Sequence, residues 1–236
     1  MSAKQLITQA RAQQRTALDE QAGKSLLAEY GITVPLSLTV KNANDVDAAF
    51  ARLRTPVVVK IMSPDILHKS DAGGVKVGLK TAAEVKDAIN AMAASPKIKG
   101  ARIDGYLMEE MAPAGQEMVI GGVRDPDFGP MVMVGLGGIF VEVLADVSFR
   151  LCPITRIDAL EMLDELKGAA ILDGARGSKA VSRDAIIEVL LKIGGEQGVL
   201  MQHADDFAEA DINPLIVSDS GAVAVDARFI LSKNNE

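Results

Sequence analysis

The sequence predicts an α/β protein, on three observations. Helical and strand patterns alternate through the first hundred residues, a strand-rich stretch fills the middle, and the chain closes on a hairpin pattern.

Residues 1–18 are polar, rich in Gln and Ala, and fit a loose helix. A firmer helix is predicted from about Asp19 to Tyr30, with Asp19 as its cap, Ala22, Leu26 and Tyr30 on one face, and Gly31 as its stop. Leu36, Leu38 and Val40 alternate as a short strand. A helix follows Asn44 with Val46, Ala49, Phe50 and Leu53 on one side. Residues 56–80 then read strand, loop, strand. Val57, Val58, Val59 and Ile61 surround Lys60; a polar loop carries His68, Lys69, Ser70 and Asp71 and closes on Gly73-Gly74; Val75, Val77 and Leu79 alternate with Lys76, Gly78 and Lys80. Thr81 and Glu84 make a capping box for a helix bearing Val85, Ala88, Ile89 and Met92.

Ile103 to Met111 reads as a strand that changes character at Glu109-Glu110, and Ala112 to Gly115 breaks it. Gln116 to Val123 and Met131 to Gly135 are further strands, joined by a turn and followed by Gly137-Gly138. One helix is capped by Thr155, with Ile157, Leu160, Leu163 and Leu166 expected inward; a second runs from about Ser182 to Ile193 with Ile186, Ile187, Leu190 and Ile193 inward. The loop between them, Leu172 to Gly177, holds Arg176 among small residues and suits either a phosphate contact or a solvated turn. The closing pattern is Ala210 to Val217, a turn, and Ala222 to Phe229. With Asp219 and Ser220 as the loop, pairing sets Asn213 across from Asp226, with Asp211 on the same face. Oxygen ligands on adjacent strands suit Mg²⁺, which keeps several waters. An exposed polar hairpin face is the plain alternative. Pro214 points to an edge or irregular strand there.

Composition removes several classes of function. Aromatics are 3% with no Trp, and the net charge is −7, so neither stacking platforms nor a basic footprint for nucleic acid is present. A single cysteine, Cys152, excludes an internal disulfide and an all-cysteine metal site. The N-terminus has no secretory pattern, and no charge-free apolar run reaches the 18 or so residues of a membrane span. A cytoplasmic protein is expected. GLGGIF lacks the third glycine of a dinucleotide fingerprint, with Phe140 in its place, and there is no Walker motif.

Lys60 inside an apolar strand needs either a bound anion or a partner carboxylate, since an unpaired buried ammonium is expensive. Backbone amides freed by Gly73-Gly74 are a second way to hold phosphate. Glu109 and Glu117 flank a chain break where one can meet sugar hydroxyls. His68, taken by itself, reads as an exposed loop histidine.

The motifs VVVKI, HKSDAGGV, MEEMAPAGQE, GGVRDPDFGP, the GARG loop, and DINPL followed by AVDAR stand in one order from about Ala17 onward. Together they resemble the ATP-grasp subunit of the nucleoside-diphosphate-forming acyl-CoA synthetases, with the β subunit of ADP-forming acetate–CoA ligase nearest and succinyl-CoA synthetase β more distant. The resemblance implies an ATP-grasp fold, two α+β subdomains with nucleotide between them, divided as a polar segment 1–18 and subdomains 19–105 and 106–236. It implies ATP/ADP and Mg²⁺ as cofactors. Lys60, Gly73, Gly74, Glu109, Glu117 and the backbone near Ala112 would contact nucleotide, and Asn213 and Asp226 would hold Mg²⁺. His68 would carry phosphate. Asp211, in place of a family glutamate, would act beside it. The implied partner is a CoA-binding α subunit with a second phosphohistidine. A carboxylate-activating ATP-grasp ligase without phosphohistidine and a non-catalytic nucleotide-binding subunit are the alternatives.

Overall fold

The computed structural model describes residues 1–66, 69–138, 144–175 and 179–233. His68, Phe140 and Arg176 lie outside the described residues. The chain divides into two units: Pro35–Ala112 forms one, and Met1–Val34 joins Pro113–Glu236 in the other.

This division differs from the expected boundaries at both ends. Residues 1–18 are no separate segment. Helix α1 (Ala3–Ala12) starts on a Ser2/Gln5 capping box and sends Ala3, Leu6, Ile7 and Ala10 into the core of the larger unit. Strand β1 (Ala17–Leu18) joins that unit's sheet, and α2 (Glu20–Glu29) follows, capped by Asp19. The expected cut at 105/106 falls inside a strand paired on both edges. Such a strand cannot leave its sheet without giving up its hydrogen bonds.

In the smaller unit, β2 (Ser37–Val40) leads through a 3₁₀ turn into the short α3 (Val46–Phe50). Strands β3 (Val57–Met62) and β4 (Val75–Leu79) form the expected antiparallel pair, followed by α4 (Ala82–Ala94) and β5 (Gly105–Glu110). The sheet order is β2-β5-β3-β4. The α4 capping box is present, with Thr81 Oγ1 accepting the Glu84 N–H at 3.2 Å; such a cap is worth about 1 kcal/mol. Val57, Val59 and Ile61 alternate onto one face and form a core with Val85, Ile89, Met92, Tyr106 and Met108. The opposite face of the same strands therefore carries Val58 and Lys60 from β3, and Leu107 and Glu109 from β5.

In the larger unit, β6 (Gln116–Asp125), β7 (Gly129–Leu136) and β8 (Val147–Leu151) precede helices α5 (Arg156–Asp164), α6 (Arg183–Gly194) and α7 (Val199–Gln202). The chain ends on β9 (Phe207–Ser218), β10 (Gly221–Ala224) and β11 (Arg228–Leu231). The sheet runs β1-β11-β9-β6-β7-β8, with β10 also on β9. Ile120, Val132, Val134, Ile212 and Phe229 meet Ile186, Ile187, Leu190 and Ile193 in the core, as the period of α6 predicts.

Helix α5 corrects the sequence reading. Its Thr155 capping box forms and Leu163 is inward, but Ile157 is 68% exposed and Leu160 is also exposed. Ala159 and Met162 take the core face, with Leu166 just beyond the helix. A small alanine allows the helix a close approach that an apolar count by size overlooks.

Candidate nucleotide and cation site

Lys60 and Glu109 lie diagonally on neighbouring strands of one sheet face, since Val58 is the partner of Glu109 and Leu107 that of Lys60. Lys60 Nζ is 3.1 Å from Glu109 Oε1, with side-chain exposures of 7% and 1%. The partner carboxylate expected for Lys60 is thus present. The neighbouring Glu110 points the other way. It accepts from the Arg54 backbone N–H at 2.9 Å and from its Nη2 at 2.7 Å, and these bonds hold its carboxyl below the usual range.

The Gly73-Gly74 loop corrects a second expectation. Neither amide is freed for a ligand: Gly73 N–H donates to Ser70 O at 3.0 Å and Gly74 N–H to Lys69 O at 2.7 Å. The glycines serve the turn itself. Gly73 adopts φ +75°, and a Cβ on Gly74 would lie 2.4 Å from Ile61 Cγ2. Ala112, half-buried, is the last residue of the smaller unit.

The larger unit carries the acidic set. The β9–β10 ladder pairs Gly221 with Ser218 through Ala224 with Leu215, so Asp219 and Ser220 are the turn, as expected. Val225 N–H then donates to Pro214 O at 3.0 Å, and β11 resumes against β9 with Arg228 opposite Asp211. The register is unchanged across the gap, which sets Asp226 level with Asn213. Pro214 does not mark an edge. β9 is paired on both sides, and its irregularity is the register shift against β6 between Met118 and Ile120.

Ala210, Ile212 and Ala227 face the core, so Asp211, Asn213 and Asp226 share the other face. Asn213 is exposed, and Asp211 and Asp226 are half-buried. Burial, then the charge of Asp226, pushes the Asp211 carboxyl above the ordinary range, with Glu209 adding to the rise and Arg228 opposing it. One Asp226 oxygen, Oδ1, accepts the Ala227 N–H at 2.8 Å. An amide oxygen beside a pair of carboxylates on one face fits a hard divalent cation with a largely aqueous shell. Among the described residues no three His, Cys, Asp or Glu side chains converge, so a softer, protein-saturated metal centre is not built here.

Glu117, the second residue of β6, is exposed, with its carbonyl accepting the Gly137 N–H at 2.8 Å. A Cβ on Gly137 would come within 2.9 Å of the Glu117 backbone, so only glycine allows the turn to seat there. Cys152 is half-buried, and burial pushes its thiol up to about 12, which leaves it protonated and unreactive.

A model of the ATP-grasp domain matches residues 9–231. The β subunit of acetate–CoA ligase [ADP-forming] I from Pyrococcus furiosus is 42% identical over 97% of this chain and 97% of its own. The chain belongs to the ATP-grasp family, among the β subunits of ADP-forming acetate–CoA ligases. Acetyl-coenzyme A synthetase 1 of Ca. Korarchaeum cryptofilum, solved with coenzyme A, Ca-AMPCP and HgCl⁺, matches with a TM-score of 0.91. Its identity is 39%, over 98% of this chain and 100% of that one. A second structure of that enzyme holds coenzyme A and Mg-AMPPCP with its phosphohistidine segment pointing towards the nucleotide site; it matches at a TM-score of 0.82 and 38% identity, over 98% of this chain and 100% of that one.

In this ATP-grasp chain the structure pairs Lys60 with Glu109, and aligns Asp211, Asn213 and Asp226. Sequence reading missed Glu20 and Lys24 on α2, which form a buried ion pair at 2.9 Å. Their i,i+4 spacing was a visible signal; their burial was not. It also missed Arg228, which only the register sets opposite Asp211. No helix among the described residues is long and apolar enough to cross a membrane.

Proposed function

We propose that this chain binds Mg-ATP or Mg-ADP and exchanges a phosphoryl group with His68, as the β subunit of an ADP-forming acyl-CoA synthetase. The observation that carries this reading is the level pairing of Asn213 with Asp226 beside Asp211 on one sheet face. Mg²⁺ held by Asn213 and Asp226 would neutralise charge on the bound phosphates. Phosphoryl transfer asks a protein mostly for positioning and charge neutralisation. Lys60, kept charged and immobile by Glu109, supplies a fixed cation for nucleotide. Glu109 and Glu117 are hydrogen-bond acceptors suited to its hydroxyls and amino group, and the backbone near Ala112 suits adenine. Gly73 and Gly74 form the turn beyond His68.

In the transfer, the bond from the γ-phosphorus to the ADP oxygen breaks as a bond to one imidazole nitrogen forms, giving a phosphoimidazolium that then releases the proton on its other nitrogen to water; the reverse step makes ATP. Asp211 accepts a hydrogen bond from the imidazolium. A CoA-binding α subunit with its own phosphohistidine completes the cycle, coupling acyl-CoA, ADP and phosphate to acid, CoA and ATP. A cytoplasmic hetero-oligomer follows from this reading.

The test is direct. With its α partner, ATP and Mg²⁺, the chain should carry acid-labile phosphate on His68. Full acyl-CoA synthesis by His68→Ala would show the relay to be wrong.

A further inference from the structure

Arg228 opens β11, and its neighbours fix where it points. Phe229 and Leu231 are in the core, as is Ala227 before it. Arg228 is therefore exposed on the opposite face, where its Cα partner is Asp211 and Asp226 stands two residues earlier. In the same unit, Arg124, Arg150, Arg156 and Arg183 each sit on a carboxylate. Arg228 makes no ion pair or hydrogen bond among the described residues, although Asp211, Asp226 and Glu209 are its neighbours. A guanidinium beside three carboxylates and bonded to none is free to turn its donors to an incoming anion.

We propose that Arg228 binds the phosphoryl group on this face, donating N–H bonds to the non-bridging oxygens that the cation at Asn213 and Asp226 leaves open. This rests on the nucleotide reading above and adds to it a residue that touches the transferred group. The chemistry suits an arginine. A transferring phosphoryl spreads charge over three equatorial oxygens, and one divalent cation does not cover them all. The planar guanidinium presents two parallel donors to a pair of oxygens and stays protonated throughout. No bond to Arg228 forms or breaks.

The experiment uses the chain assembled with its α partner. Arg228→Ala should lower the rate of ATP formation by roughly 10²–10³-fold, the loss typical of removing one donor aimed at developing charge. Arg228→Lys should recover part of it, and millimolar guanidinium salts should restore activity to Arg228→Ala but not to Asp226→Ala. Thermal midpoints should stay at the wild-type value, as for an exposed residue. A rate within about twofold of wild type, or a loss that guanidinium does not rescue while the midpoint holds, overturns the proposal. The nucleotide reading fails separately: wild-type chain would then show no calorimetric binding of Mg-ADP at all.

Discussion

In the unit formed by residues 35–112, the charges assigned to nucleotide are already matched, Lys60 against Glu109 inside a sheet. On the sheet of the larger unit, Asp211, Asn213 and Asp226 share a face, and Asp211 and Asp226 repel one another. The first arrangement carries the cost of burying its ions at folding and is then rigid. The second gathers like charges on one face, where burial and the charge of Asp226 raise the Asp211 carboxyl and a bound cation would lower it. The difference teaches that one chain can treat charge in two ways, pairing it inside one sheet and gathering like charges on the face of another.

The strongest break of this contrast is Glu109→Ala. It leaves the Lys60 ammonium buried without its partner and should cost about 3–5 kcal/mol in urea unfolding. The double variant Lys60→Met with Glu109→Leu should recover most of that stability, because two apolar groups of similar size replace a buried pair at little cost. Its Mg-ADP affinity should nonetheless fall. If the double variant binds nucleotide as wild type does, the pair is structural only.

On the acidic face the expected signs reverse. Asn213→Ala and Asp226→Ala should leave folding nearly intact but weaken Mg-nucleotide binding roughly tenfold or more, about 1.4 kcal/mol. Calorimetric affinities equal to wild type would defeat the cation assignment.

A paired charge outside the acidic face gives the smallest effect. Arg150 and Ser148 hydrogen-bond Glu165 and hold its carboxyl at about 2, against an ordinary 4.5. Its folded value is lowered, so its contribution is present above the ordinary value and lost as pH falls towards 2. Glu165→Gln should flatten acid unfolding between about pH 4.5 and 2 and change little at pH 7, where exposed pairs are weak. A steep acid limb in that variant would assign the slope to other carboxylates.

Much of this was legible in the sequence because it depends on local order. The Thr81–Glu84 cap, the β3–β4 pair and the Asp219-Ser220 turn are read from neighbours a few residues apart. The register that levels Asn213 with Asp226 follows from a turn length and the two-residue period of a strand. What was not legible depends on packing across the fold. Lys60 had two possible partners until β5 was seen beside β3. Ile157 and Leu160 fit an apolar stripe, yet Ala159 and Met162 hold the core side of their helix. The Gly73 and Gly74 amides looked free until Ser70 and Lys69 turned their carbonyls back on them. The phosphate-carrying role proposed for His68 rests on its motif alone.

The register that β9 keeps from β10 to Arg228 has a consequence for how this chain can change over time. Residues 214–225 separate Asn213 from Asp226, and the β9–β10 ladder with its Asp219-Ser220 turn fixes how they pair. One residue gained or lost at Asp219-Ser220 would swing Asp226 to the core side and Ala227 to the surface. That turn is exposed and its letters can drift, but its count cannot. A harmless-looking surface loop thus acts as a measuring rule for the proposed cation site, which it never touches.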